Sequence, residues 1–235
     1  MKRFAFVSGA FVIALVTVSL QARQQQPPAT PAPQQQQAGQ RPAGPCGPPQ
    51  ELGANHWRID AGHSAAHFSV RHNVVSTVRG QLGPICGTIE YDGKDVSSVK
   101  ADVTIDVSRI STQNASRDNH LRQDDFFNVE KWPTMTFKSK RVEGAADGRF
   151  KLVGDLTIRD KTNEVVLDVE GPSPVVKGPR GVLTGATATT KISRKTFGVL
   201  WNRMIEAMPV VSDEVTITID LELNRPAMPG TTAAQ

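Results

Sequence analysis

Hydrophobic and polar residues alternate strictly over long runs of this chain, and the alternation predicts its secondary structure. In "KADVTIDV", Val103, Ile105 and Val107 take turns with Asp102, Thr104 and Asp106. In "FKLVGDLTIR", Phe150, Leu152, Leu156 and Ile158 share one face, and "NEVVLDVE" sets Val165, Leu167 and Val169 against Glu164, Asp168 and Glu170. "SDEVTITIDLEL" alternates Val215, Ile217, Ile219, Leu221 and Leu223 with threonines and acids, while "AAHFSV" and "TMTFKS" add Phe68/Val70 and Met135/Phe137. A period of two with one wet face is the pattern of an antiparallel sheet. Turn signals at "YDGKD", "AADGR", "RDKTN" and "GPSPVVKGPRG" separate the runs. About eight such strands, each dry on one face only, must close into a barrel or stack as a sandwich, so the fold class is all-β and antiparallel.

One stretch breaks the alternation. "NASRDNHLRQDDFF" lacks period two and is rich in helix-tolerant residues, and Asn114 or Ser116 can cap its start. It predicts one short helix after the fourth strand, ending near Phe126 and Phe127, because Pro133 blocks its continuation. Arg117 and Asp124 are seven apart, and Asp118 and Arg122 four apart. Both spacings read as helix-face ion pairs on the water side, worth a few tenths of a kcal/mol each. A single helix in this position suits a plug or lid for one barrel end.

The chain ends change character. Residues 1–22 combine Lys2 and Arg3, an apolar core and a small-residue end at Ala22, which is the pattern of an export signal peptide. An uncleaved anchor is the alternative, although an apolar run of about 17 residues is short of the roughly 20 needed to span a bilayer. Residues 23–52 are rich in Gln and Pro and have too little apolar surface to offset the entropy of ordering them, so they read as a spacer. The folded domain is expected over 53–225, with a flexible tail at 226–235.

The formal charge of +4 invites a nucleic-acid reading, but Lys2, Arg3, Arg23 and Arg41 all precede the folded part. Removing those four from the 27 basic residues leaves 23, equal to the 23 acids. A neutral domain with interleaved charges has no electrostatic footprint for nucleic acid. The two cysteines, Cys46 and Cys86, are a candidate disulfide in an oxidising compartment. The Pro/Gly context of Cys46 leaves that pairing open.

Candidate chemistry is sparse. His63, His67 and His72 resemble a metal cluster, but four residues of strand separate the first two by about 13 Å, too far for one ion. His63 with Ser64 reads instead as strand-end hydrogen bonding. Ser64, His120 and Asp118 would make a hydrolase triad only by composition, since no "GxSxG" turn accompanies them. No catalytic residue and no metal ligand is therefore assigned. More informative is where the dry face lacks bulk: Gly154 lies between Leu152 and Leu156, and Ala66, Ala186 and Ala188 are in register with apolar neighbours. Small inward residues leave room in an eight-stranded barrel for one ligand, or else relieve crowding at a bend.

Six segments in chain order carry a resemblance: "WRIDAGHSAAHFSVRH", "VRGQLGPICGTIEYD", "VTIDVSRIST", "RDNHLRQDDFFNVEKWPTMTFKS", "LVGDLTIRDKTNEVVLDVE", and "SRKTFGVLWN" followed by "SDEVTITIDLEL". Together they resemble the YceI-like family across about residues 55–224. The resemblance implies an extended lipocalin-like barrel in the bacterial periplasm. Its hydrophobic tunnel would bind a polyisoprenoid or isoprenoid quinone, without catalysis and without a cofactor beyond that lipid. Transient contact with a membrane surface and homo-oligomerisation are compatible with such a carrier; an enzyme or stress-response protein acting on isoprenoid or peroxide substrates is the alternative. Cys86 in "GPICG" departs from the apolar or aromatic residue expected there.

On that reading the tunnel wall combines Phe68, Val70, Val103, Ile105, Met135, Phe137, Leu156 and Ile158 with the small Gly154, Ala186 and Ala188. Phe126 and Phe127 are the helix's payload toward the interior. Gly198 permits a turn that aims Phe197 and Trp201 inward beside Ile192. Met and aromatic side chains give the dry, adaptable surface that a flexible apolar chain needs.

Overall fold

The structure, a computed structural model, describes residues 53, 55–178, 181–202, 204–205 and 208–226. The expected signal segment, the whole spacer with Cys46, and the tail from residue 227 lie outside the described residues.

Among the described residues the strands are β1 (His56–Ile59), β2 (Ala65–His72), β3 (Ser76–Gly83), β4 (Ile85–Glu90), β5 (Lys100–Asp106), β6 (Thr134–Ala146), β7 (Arg149–Ile158), β8 (Lys161–Glu170), β9 (Val176–Gly178), β10 (Gly181–Ser193), β11 (Met204–Ile205), β12 (Met208–Pro209) and β13 (Val211–Pro226). One helix, α1 (Ala115–Leu121), lies between β5 and β6.

These strands close an eight-stranded antiparallel barrel. β1 and β2 lie end to end along β13, pairing Ile59 with Leu223 and Ala65 with Asp220. They are split by a turn in which the Gly62 N–H donates to Asp60 Oδ1 at 2.8 Å. β3 and β4 lie end to end in the next position, paired with β2 and β1 and separated by Pro84, which has no N–H for the ladder. β5, β6, β7, β8 and β10 follow in order, and β10 returns to β13 over thirteen residue pairs, Gly181–Pro226 to Ser193–Glu214. Closure removes the unpaired edges that an open sheet of this size would expose.

The alternation read from the sequence sorts the two faces. Val103, Ile105, Met135, Phe137, Leu152, Leu156, Ile158, Leu167, Val169 and Ile217 are buried in one core. The opposite faces carry cross-strand ion pairs, such as Lys151–Asp168 at 2.6 Å and Arg149–Glu170 at 3.0 Å. Such exposed pairs are worth at most about 1 kcal/mol each. Their work is to match charges across the ladder, which explains why the domain's charges interleave.

The closure is incomplete at one place. β8 pairs with β10 only from Asp168 to Glu170, and the rest of β8 is bonded to β7 alone. A 3-10 turn, Arg194–Phe197, sits beside that free length, with Asn163 donating to the Thr196 carbonyl at 3.2 Å. Phe197 is 1% exposed. Gly198, at φ 75, ends the turn in a conformation that few other residues adopt.

The helix has the expected cap, with Asn114 Oδ1 accepting the Arg117 N–H at 3.0 Å. It is two turns long, and Phe126 and Phe127 follow it in a string of turns. Its charges do not pair across the water side as the spacing suggested: Arg117 and Asp124 are exposed, but not bonded to each other. Asp118 is buried, accepting the Thr112 N–H at 2.8 Å and the Thr112 hydroxyl. Arg117 donates from Nε to Thr112 Oγ1 at 2.7 Å, and Arg122 donates to the carbonyls of Ser108 at 2.8 Å and Ile110 at 3.0 Å. Neither the Arg117–Asp124 nor the Asp118–Arg122 ion pair forms. Two turns of helix cannot bury an apolar face of their own, so the helix is tied by polar bonds to the chain that leaves β5.

Candidate functional site

The barrel interior holds two apolar cavities that meet at Met135 and Ile217, both of which line each of them. The inner one is narrow, about 90 Å3, and is walled by side chains from every barrel strand between β4 and β13. Val103, Ile105, Met135, Phe137, Leu156, Ala186 and Ala188 lie on it as the alternation placed them. Phe150, Leu167 and Val169, on the dry faces of β7 and β8, also line it, together with Tyr91 and Val99 from the loop between β4 and β5. At its far end Trp57 is fully buried and donates Nε1–H to the Tyr91 carbonyl at 3.0 Å.

The outer cavity is wider, about 460 Å3. Phe68, Val70, Phe126, Phe127, Met135, Ile158, Ile192 and Trp201 line it, as expected. Along β13 the two cavities follow each other, from Val211 and Val215 at the wide end to Leu221 and Leu223 at the narrow end. At about 3.3 Å per residue, the path from Val211 to Leu223 covers roughly 40 Å of strand.

Two expected wall residues lie elsewhere. Phe197 seals the β8–β10 gap and faces neither cavity. Gly154 lies under the Phe137 ring: a Cβ there would be 2.6 Å from Phe137 Cζ and 2.5 Å from the Lys138 carbonyl oxygen. Its missing side chain makes room for Phe137 and the β6 backbone, not for a ligand. Cys86 is on β4, and no described cysteine is a free thiol; the other half of the expected disulfide, Cys46, is outside the described residues.

The mouth of the wide cavity is polar, which the strand pattern gave no means of seeing. Asn114, Ser116, Arg117, His120, His72 and Arg194 border it. His120 Nε2 is 2.7 Å from Asp125 Oδ2, and the His120 ring meets Phe126 and Trp201 edge-on at centroid distances of 4.9 and 5.1 Å. Two arginines hold this end together. Arg159 Nη1 donates to the carbonyls of Phe126 and Gly198, each at 3.0 Å. Arg194, 5% exposed, donates to the carbonyls of Val199 at 2.8 Å, Trp201 at 2.7 Å and Ser212 at 3.0 Å. Burial pushes its guanidinium below the ordinary value, and Asp213, 3.5 Å away, opposes that. Trp201 therefore reaches the cavity because a buried cation fixes the backbone that carries it.

His63, His67 and His72 do not converge. His67 faces an outer groove, His72 the wide cavity and His63 the β1–β2 turn. Among the described residues one group has metal-type donors within 4.8 Å of one another: Asp60, His63 and Glu222. The Gly62 N–H, with His63, holds the Asp60 carboxyl below the usual carboxylate range despite its partial burial. His63 is exposed, and its Nδ1 is 3.3 Å from Asp60 and 3.6 Å from Glu222, the spacing of an ordinary surface ion-pair contact. Ser64, His120 and Asp118 form no triad: Ser64 bonds the Glu222 backbone, while Asp118 is taken by Thr112.

A closed barrel with a continuous apolar interior narrows the comparison to known proteins. The YceI-like domain model matches residues 57–223. The chain belongs to the YceI-like family. A UPF0312 protein of Staphylococcus aureus strain N315 is 38% identical over 150 residues, 63% of this chain and 84% of that protein. The YCEI protein of Campylobacter jejuni is 33% identical and superposes with a TM-score of 0.57, covering 64% of this chain and 87% of that one. A polyisoprenoid binding domain from Saccharophagus degradans has the same fold at 16% identity, with a TM-score of 0.55 over 72% of this chain and 98% of that one. These YceI-like neighbours share the barrel, and the lipocalin-like description fits its closed, cavity-bearing form.

Proposed function

We propose that this protein is a non-catalytic carrier or sequestering protein for a long isoprenoid lipid, a polyisoprenoid or an isoprenoid quinone, working outside the cytoplasm. The observation that carries the reading is the shape of the interior. A narrow, mainly apolar cavity leads from a wider one, and the charged and amide side chains line only the wide one. A thin, branched apolar chain fits the narrow part, and a larger or more polar head group fits the rim. Membership of the YceI-like family, and the naming of one structural neighbour for polyisoprenoid binding, support a binding protein. The wide cavity is within the 300–1,000 Å3 range typical of small-molecule sites. Export rests on the apolar leader of residues 1–22.

The test is mass spectrometry of organic extracts from the purified protein, paired with titration of the emptied protein by an isoprenoid quinone in detergent. A co-extracted isoprenoid, or saturable quenching of tryptophan fluorescence on titration, is expected. Trp201, on the wide cavity, is the reporter. Lipid-free extracts together with no saturable binding would remove the reading.

A further inference from the structure

The mouth of the wide cavity carries apolar side chains turned out to water. Val74 is 57% exposed, Val75 80% and Leu200 64%. Val74 and Val75 lie in the tip of the β2–β3 hairpin, with only Asn73 between them and His72, which lines the cavity. Leu200 stands between Val199 and Trp201, which also line it. Asn202 joins the two segments: its side chain bonds the Val211 backbone in both directions, and Val211 pairs with His72. The three exposed side chains therefore leave one rim.

Their backbone is fixed, not loose. The Asn73 N–H donates to the Val210 carbonyl at 2.8 Å, the Arg71 guanidinium donates to the Val74 carbonyl, and Arg194 holds the carbonyls on either side of Leu200. Val74 also sits at φ 61. A β-branched residue is strained there, and asparagine or glycine would adopt the same turn with less cost. A strained valine that is more than half exposed contributes little to local stability and nothing to solubility.

Among the described residues, Arg71, Arg79 and Arg117 make no ion pair, whereas Asp213 is matched by Lys195 at 2.7 Å. Asp124 and Glu130 are exposed acids of the loop after α1.

We propose that this rim docks on an anionic lipid bilayer. Val74, Val75 and Leu200 enter the head-group layer and the unpaired arginines face lipid phosphates, so that a lipid passes between bilayer and cavity without crossing water. The inference deepens the carrier reading and rests on it. Apolar tips beside arginines free of ion pairs are what an interfacial site needs.

The experiment is flotation of the purified protein with vesicles of phosphatidylglycerol and phosphatidylcholine, against vesicles of phosphatidylcholine alone. The wild type should float with the anionic vesicles and lose that association at high salt. The double variant Val74→Asn/Val75→Asn should bind them at least about tenfold more weakly while melting no lower, because asparagine suits the turn. Leu200→Asn should weaken binding in the same direction. Isoprenoid-quinone titration in detergent, without vesicles, should be unchanged in all of these variants. Failure of the wild type to float, or equal flotation of wild type and double variant, overturns the docking proposal; a rim that serves a protein partner would give that result. Flotation that depends on these residues, in a protein that yields lipid-free extracts and shows no saturable quinone binding, upholds the docking surface and removes the carrier reading instead.

Discussion

The carboxylate of Asp118 accepts the backbone N–H of Thr112 at 2.8 Å and the Thr112 hydroxyl as well. This joins α1 to the segment that leaves β5 and thereby sets the helix beside the cavity mouth. Burial alone would raise the Asp118 pKa, but the Thr112 bonds, with Arg122 and Arg117 nearby, hold it below the ordinary carboxylate value. Asp118→Ala leaves two buried donors without an acceptor and should cost about 1–3 kcal/mol in urea denaturation.

The sign of the pH dependence follows. A carboxyl whose folded pKa is depressed stabilises the protein fully above its unfolded value, near 4, and loses that contribution as pH falls through the folded value. The wild type should therefore lose stability from about pH 5 downward. Asp118→Asn should start lower and fall less steeply; parallel curves for the two proteins would remove Asp118 as a contributor.

Ala188 and Gly154 should behave differently although both are small and both point inward. Ala188 lines the narrow cavity, so Ala188→Leu should fill it and cut isoprenoid binding at least tenfold, with a stability change within the roughly 1–3 kcal/mol that overpacking costs. Gly154→Leu should destabilise far more, because even its Cβ has no room beside Phe137 and the Lys138 carbonyl. Melting temperature and bound lipid, measured together, separate the two effects.

Arg194 is a buried cation satisfied by carbonyls of the segment that carries Trp201. Arg194→Leu should leave those carbonyls unpaired and cost at least about 2 kcal/mol. It should also shift and broaden the Trp201 fluorescence even in protein that remains folded. An unchanged emission spectrum would mean that Trp201 is held by its contacts with Phe126 and His120 alone.

The cysteines give a chemical check. If Cys46 closes on Cys86, the denatured, unreduced protein shows no free thiol, and reduction lowers stability by roughly 4 kcal/mol for a loop of about 40 residues. Two thiols before reduction would exclude the bond.

The sequence by itself determined the antiparallel all-β class, most of the long strands, a short helix after Asn114 and the identity of most of the apolar wall. Period-two alternation is a local property: each residue's face is settled by its neighbours along the strand, so Val103, Phe137, Leu156 and Ala188 could be assigned before any pairing was known. Tertiary structure decided what depends on groups distant along the chain. The spacing of Arg117, Asp118, Arg122 and Asp124 is the same whether the charges face water or Thr112 and the Ser108 carbonyl, so the pattern suggested surface pairs where Asp118 is buried. Arg159 and Arg194 look like any loop arginines until Phe126, Gly198 and Val199 are folded around them. Gly154 and Phe197 were misplaced for a related reason. Alternation says which way a position points but not what already occupies that space, and only the closed barrel put a phenyl ring over one and a gap between strands beneath the other.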